Sequence, residues 1–174
     1  MRNICSRSDA LAALKIKLQA LDRTCSRRSV KALHGGRDDG FSLLATSAVH
    51  DLYASTPADA VAANAFGLGM ALQAAARRPI VWGLDRMMGQ EAGCPHGVGL
   101  YEMGLAPRDV LLVLARDAQA LLALGEEALR SPAVGAVVLS AWGEAKAPNL
   151  TASRRLALAA EVSGATLFLT RGGA

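Results

Sequence analysis

Short apolar runs alternate with helical patterns from residue 47 onward, and this alternation is the feature that most constrains the fold. The runs are rich in Val, Leu and Ile, which is typical of strands buried on both faces of a sheet. Strands are predicted at 49–54, 79–84, 110–115, 135–141 and 165–170, and helices at 57–76, 117–130 and 150–163. A glycine-rich connection at 85–109 holds a further short helix near 97–103. Strands joined through helices predict a mainly parallel sheet covered on each side, in a three-layer α/β/α sandwich.

The chain before this domain divides into a helix and a linker. Residues 1–22 contain an amphipathic helix pattern over 9–22, with leucines on one face at Leu11, Leu14, Leu18 and Leu21. This stripe is a candidate partner-binding surface, although such stripes more often pack in a core or a helix–helix seam. Residues 23–45 are polar, basic and glycine-containing, so we interpret them as a linker. The helix is then free to dock on its own domain, on another copy or on a partner.

Charge is distributed unevenly between these parts. Residues 1–37 hold nine Lys or Arg against two Asp, a net charge of +7. The rest of the chain holds ten Lys or Arg against thirteen Asp or Glu, a net charge of −3. A basic arm on a mildly acidic domain is compatible with nucleic-acid contact, and it is equally compatible with a solvated tail.

Several classes of protein are excluded by simple patterns. No apolar run reaches the roughly 18 residues that a membrane span needs. The N-terminus lacks the pattern of a secretory signal, so we expect a cytoplasmic protein without membrane contact. Cysteines occur at Cys5, Cys25 and Cys94, far apart and without partners at zinc-ligand spacing. They are expected to be reduced thiols, and no metal site is predicted.

The end of the first predicted strand is where a phosphate-binding loop would lie in a nucleotide-binding α/β protein. The segment ASTPADA at 54–60 has neither the glycines nor the lysine of such a loop. Thr56 instead fits an N-cap, with Pro57 at the first helical position and Asp59 at the third. A carboxylate about 4 Å from a phosphate would repel it by roughly 4 kcal/mol at an effective dielectric near 20. The sequence therefore predicts no nucleoside triphosphate binding and no cofactor.

Other candidates for chemistry are isolated. Asp85 follows the second strand, but Ser140 stands in the fourth where an ATPase would carry a magnesium-binding aspartate. Without a metal site, Asp85 is interpreted as a surface salt-bridge partner of Arg86 or a neighbour. His34, His50 and His96 lie in a linker, a strand and a loop, and no nucleophile elbow is present. We expect a protein that is not an enzyme.

A basic group marks the start of the last predicted helix. Lys146, Arg154 and Arg155 lie near a strand end, where they could contact the phosphate backbone of DNA. Arginines that simply face solvent would have the same pattern. These three residues are therefore the tentative DNA-binding set.

Two segments carry a family resemblance. MGLAPRDVLLVLARD at Met103–Asp117 and LTASRRLALAAEVSG at Leu150–Gly164 resemble motifs of the ImuA family, SOS-mutagenesis accessory factors with a RecA-like fold. The similarity extends over roughly residues 9–171, and the family continues beyond the part that this chain matches. Residues 46–174 thus resemble a degenerate RecA-like domain, in which Asp59, Ala60 and Val61 replace the glycine, lysine and threonine of RecA's phosphate loop. Asp85 falls near RecA's catalytic glutamate position, and Ser140 replaces its magnesium-site aspartate.

The resemblance implies a non-catalytic role in translesion DNA synthesis, together with an ImuB-like Y-family protein and an error-prone DNA polymerase. DNA and RecA are further candidate partners, and self-association is left open. SulA-type cell-division inhibitors offer an alternative, since they also keep a RecA-like sheet without nucleotide chemistry and bind FtsZ. A weak ATPase with an atypical loop is a third reading, against which the missing lysine and metal-site groups argue.

Overall fold

The computed structural model describes residues 12–19, 45–143 and 150–172. Its strands are β1 (Val49–Tyr53), β2 (Ile80–Asp85), β3 (Val110–Ala115), β4 (Ala136–Trp142) and β5 (Thr166–Gly172). Its helices are α1 (12–19), α2 (Ala60–Ala74), α3 (Arg86–Glu91), α4 (Gly97–Glu102), α5 (Ala118–Leu129) and α6 (Leu150–Ser163). Short 3₁₀ turns at Pro57–Asp59 and Pro107–Asp109 precede α2 and β3.

The strands form one parallel sheet in the order β1-β5-β4-β2-β3. In the centre, Val138 of β4 lies between Trp82 of β2 and Phe168 of β5. Every residue of β2 is buried, as expected for a strand covered on both faces. The predicted three-layer α/β/α sandwich is confirmed, and each predicted strand is found within two residues of its expected bounds.

Side chains that alternate along the strands build two separate apolar layers. On one face, Val81, Val137 and Leu167 pack in a cluster with residues of α5 and α6. On the other face, Trp82, Val138 and Phe168 pack in a cluster with residues of α2 and α3. The sheet is thus the middle layer, and the carboxyl ends of its strands lie between the two helical layers.

The helices differ from expectation in two places. A helix that the sequence did not predict, α3, begins directly after β2 because Asp85 caps it. The helix predicted over 57–76 is divided into a 3₁₀ turn and α2, with Pro57 at the first position of the turn. Both differences lie at the carboxyl ends of strands.

The described part of the N-terminal helix, α1, docks on its own domain. Leu14 and Leu18 are buried in the same cluster as α5 and α6. Lys15 Nζ lies 3.8 Å from Glu127 Oε1 of α5. Among the three docking alternatives the structure shows the first, in which Leu14 and Leu18 are covered by their own domain, and partner binding by the leucine stripe stays a prediction. Leu11 and Leu21 lie outside the described residues.

Candidate functional site

The carboxyl ends of the parallel strands lie at one edge of the sheet, where α/β proteins bind ligands. We use the name carboxyl edge for the residues there that the structure describes: 54–60, 85–88, 140–143 and 170–172. These segments follow or end β1, β2, β4 and β5. The question at this edge is which polar groups are available to a ligand.

In the turn at 54–60, where a phosphate-binding loop was considered, Thr56 and Asp59 are hydrogen-bonded to each other. The carboxylate of Asp59 accepts from the backbone N–H of Thr56 at 3.1 Å and from the Thr56 hydroxyl at 2.8 Å. The Asp59 N–H in turn donates to the Thr56 carbonyl at 3.0 Å. Thr56 is extended and precedes Pro57, as the sequence predicted for an N-cap. The turn therefore closes on itself and presents a carboxylate where a phosphate would sit.

The start of α2 is also covered by the end of β5. Ala60, the first residue of α2, is 1% exposed. A side-chain carbon placed on Gly172 of β5 would lie 2.5 Å from the Cβ of Ala60, so only glycine permits this approach. Ala60, at the end of the segment 54–60, is thus packed against the end of the neighbouring strand, while residues 55–59 are exposed.

Asp85 has a structural role that its sequence context did not show. Its carboxylate accepts from the N–H of Met88 at 2.9 Å, capping α3, and from the N–H of Trp142 at 3.2 Å. The residue is 6% exposed. The interpretation of Asp85 as a surface salt-bridge partner of Arg86 is therefore wrong. Two backbone donors replace the expected arginine, because β4 brings Trp142 beside the end of β2.

A buried polar chain crosses the sheet from β2 to α2. The indole Nε1 of Trp82 donates to Ser140 Oγ at 2.9 Å, and Ser140 Oγ lies 2.9 Å from Thr170 Oγ1. Thr170 Oγ1 donates to Asn64 Oδ1 on α2, and Asn64 Nδ2 donates to the Met88 sulfur at 3.4 Å. Ser140 and Thr170 are at most 1% exposed.

Counting hydrogens fixes the direction of this chain. A hydroxyl has one hydrogen to donate. The Thr170 hydrogen goes to Asn64, its shortest contact, so the Ser140 hydroxyl is left to donate to Thr170 while accepting from Trp82. Ser140 thereby uses its donor and takes part in two bonds inside the protein. The hydroxyl of Ser140 is therefore satisfied within the chain.

The side chain of Arg171, at the end of β5, is also hydrogen-bonded within the chain. Its guanidinium donates to both carboxylate oxygens of Asp51 on β1, at 3.1 and 3.0 Å. It also lies over the ring of Tyr53, 5.3 Å from the centroid. The side chain of Arg171 is 10% exposed. The guanidinium of Arg171 therefore joins β5 to β1.

Two of the three tentative DNA-binding residues, Arg154 and Arg155, lie among the described residues. Arg154 is exposed on α6. Arg155 donates from Nη2 to Glu126 Oε2 on α5 at 2.6 Å, joining the two helices. Lys146 lies outside the described residues. Contact with DNA stays a prediction. Arg154 is exposed, whereas Arg155 is bonded to Glu126.

The remaining candidates for chemistry are dispersed. His50 bonds the carbonyl of Ala45 and stacks on Phe168, while His96 lies at the N-terminus of α4 and His34 falls outside the described residues. Within residues 12–19, 45–143 and 150–172, no three His, Cys, Asp or Glu side chains are placed to hold a metal ion. No helix in these ranges is long and apolar enough to cross a bilayer.

Two residues of the polar chain were missed by sequence reasoning. Asn64 and Thr170 are polar residues at positions flanked by apolar ones in α2 and β5. This is a signal that the sequence contains, because a polar side chain in a buried pattern requires a partner. The identity of the partner depends on β4 lying beside β5, which the pattern does not state.

Comparisons with known proteins show a likeness to solved structures. No protein-family model matches the chain, and no curated protein matches it. Among solved structures, it is similar to SulA from Pseudomonas aeruginosa, with 25% identity and a TM-score of 0.51. The similarity covers 72% of this chain and 98% of that SulA chain. Almost the whole of the SulA structure therefore has a counterpart here.

Proposed function

We propose that this chain is a non-catalytic protein of the SOS response that acts by binding other proteins. The likeness to SulA carries this proposal, since it extends over nearly all of that structure. The internal hydrogen bonds of the carboxyl edge support it. Thr56, Asp85 and Ser140 each form hydrogen bonds within the chain.

One finer version is a cell-division inhibitor. It is favoured by the extent of the SulA likeness, which leaves only 2% of the SulA chain without a counterpart. SulA-type inhibitors bind FtsZ, so this chain would bind FtsZ and block its polymerisation. The part of this chain beyond the match would then be an addition to the inhibitor domain.

The other finer version is an accessory protein of translesion DNA synthesis, which would bind an ImuB-like Y-family protein and an error-prone polymerase. It is favoured by the two segments that resemble ImuA. The first runs from the end of α4 through β3 to Asp117, whose carboxylate caps α5 by accepting from the Ala120 N–H at 2.7 Å. The second contains the whole of α6. Together the two segments contain β3, which is an edge strand of the sheet, and α6, which is a helix of an outer layer.

Direct binding to purified partners separates these versions. The chain would be immobilised and exposed in turn to an ImuB-like protein and to FtsZ with GTP. Retention of the ImuB-like protein supports the accessory role, and retention of FtsZ with loss of its polymerisation supports the inhibitor role. If the chain binds neither protein and cells lacking it respond normally to DNA damage, the proposed function is overturned.

A further inference from the structure

An apolar groove lies between α2 and the segment that contains α4, on the face of the sheet opposite α5 and α6. One wall is a stripe on α2, formed by Val61, Ala65 and Leu68, and the other is formed by Leu100 of α4 and by Met103, which directly follows α4. Trp82 and Leu84 of β2 also line it, and its volume is about 220 Å³. The groove adjoins the carboxyl edge, because its lining residues Asn64 and Trp82 are hydrogen-bonded to Thr170 and Ser140 of that edge.

The rim of the groove exposes unusually large apolar side chains. Val61 is 57% exposed and Met103 is 43% exposed. Val98 and Tyr101 on α4 are exposed as well. Helix α2 holds no charged residue from Ala60 to Ala74, although one of its faces is open to solvent. Apolar surface of this kind, gathered around a groove, is typical of an interaction site.

Most of the exposed charges beside the groove are acidic. The segments 57–76 and 87–107 contain Asp59, Glu91 and Glu102 and no Lys or Arg, while the exposed Arg86 lies two residues after the lining residue Leu84. All three acidic residues are exposed. Each lies within two residues of a groove-lining residue, namely Val61, Ala92 and Met103. A partner with basic residues flanking its apolar contact would complement this rim.

The wall on α2 matches the spacing of a helical ligand. Val61, Ala65 and Leu68 stand at i, i+4 and i+7, so the stripe runs about 10 Å along the helix. Two helices with a groove between them commonly receive the apolar face of a third. From the groove, its stripe and its acidic rim, we infer that this face binds a basic amphipathic helix of a partner protein. The inference rests on the proposed function for the idea that the chain acts by binding proteins.

The test uses the full chain and two synthetic helical peptides of about 18 residues. One carries leucines at helical spacing with lysines elsewhere, and its twin carries glutamates in place of the lysines. Fluorescence anisotropy is expected to give an affinity for the lysine peptide about tenfold or more above that for the glutamate peptide. Val61→Lys should reduce the affinity for the lysine peptide by about tenfold or more, because it adds a cation to the groove wall.

The chain offers a matched control on the opposite layer. Val162 of α6 is 88% exposed, so Val162→Lys adds the same charge to a helix far from the groove, and it should change the affinity by less than about twofold. Gly99→Leu gives a second variant without a new charge. Gly99 lines the groove, and a side-chain carbon there meets no atom within 4 Å. Filling the groove in this way should also weaken binding.

Three results would overturn the inference. They are no binding of the lysine peptide, equal effects of Val61→Lys and Val162→Lys, and a concentration-dependent dimer that Val61→Lys abolishes, which would assign the groove to a second copy. Binding of an ImuB-like protein or FtsZ that survives Val61→Lys would leave the proposed function standing while removing the groove as its site. If the unmodified chain binds neither an ImuB-like protein nor FtsZ, and cells lacking the chain respond normally to DNA damage, the proposed function itself is overturned.

Discussion

The carboxylate of Asp85 accepts a hydrogen bond of 3.2 Å from the backbone N–H of Trp142, and this bond ties the end of β2 to the end of β4. The same carboxylate caps α3 through the Met88 N–H. Both donors are backbone groups at the carboxyl edge of the sheet. The side chain of Asp85 thus joins β2, α3 and β4.

Removing the Asp85 carboxylate should destabilise the fold. Asp85→Ala leaves two backbone N–H groups without their acceptor, and we expect the free energy of unfolding to fall by about 2–4 kcal/mol. Asp85→Asn keeps one acceptor oxygen and should cost about half as much. Urea unfolding followed by circular dichroism measures both. Asp109→Ala is the control, since Asp109 is exposed and faces Arg108 at 3.9 Å, and it should cost less than about 0.5 kcal/mol. Equal losses for Asp85→Ala and Asp109→Ala would contradict this role.

The bond between Trp82 and Ser140 should appear as a coupling energy. Ser140→Ala leaves the buried indole N–H of Trp82 unpaired, which we expect to cost about 1–3 kcal/mol. In Trp82→Phe the donor is absent, so adding Ser140→Ala should cost less than it does in the unmodified chain. A double-mutant cycle by denaturant unfolding should give a coupling of about 0.5–3 kcal/mol. Strict additivity would show that the bond does not contribute.

Much of the fold could be predicted from local patterns. The strand at 110–115 was predicted at its observed bounds, and the helix at 150–163 likewise. Apolar runs bounded by turn residues carry this information within a few neighbouring residues. The capping arrangement of Thr56 and Asp59 was also accessible, because both partners lie within one turn.

The rest depends on neighbours distant in sequence. Asp85 looked like a lone carboxylate because its second donor, Trp142, lies 57 residues further along. Thr170 and Asn64 meet across 106 residues. The order β1-β5-β4-β2-β3 sets both contacts, and no single segment encodes that order. For the same reason the leucine stripe predicted a buried face of α1 without showing which surface would bury it.

The docking of α1 should contribute to stability. Leu18 is 4% exposed in the cluster with α5 and α6, so we expect Leu18→Ala to lower the free energy of unfolding by about 2–4 kcal/mol. Ile16 on the same helix is 67% exposed, and Ile16→Ala should change it by less than about 0.5 kcal/mol. Chemical denaturation compares the two. If Leu18→Ala leaves stability unchanged and abolishes partner binding, α1 serves a partner rather than its own domain.

Because the polar groups of Thr56, Asp59, Asp85 and Ser140 are hydrogen-bonded within the chain, we expect the carboxyl edge to bind no nucleotide. Isothermal titration calorimetry of the purified chain with magnesium and ATP measures this. We predict no binding tighter than about 1 mM, since a phosphate at the turn would meet the Asp59 carboxylate with a repulsion of roughly 4 kcal/mol. A dissociation constant of about 50 µM or lower, which substitutions at Asp59 or Ala60 raise, would contradict the expectation that no nucleotide binds at this edge.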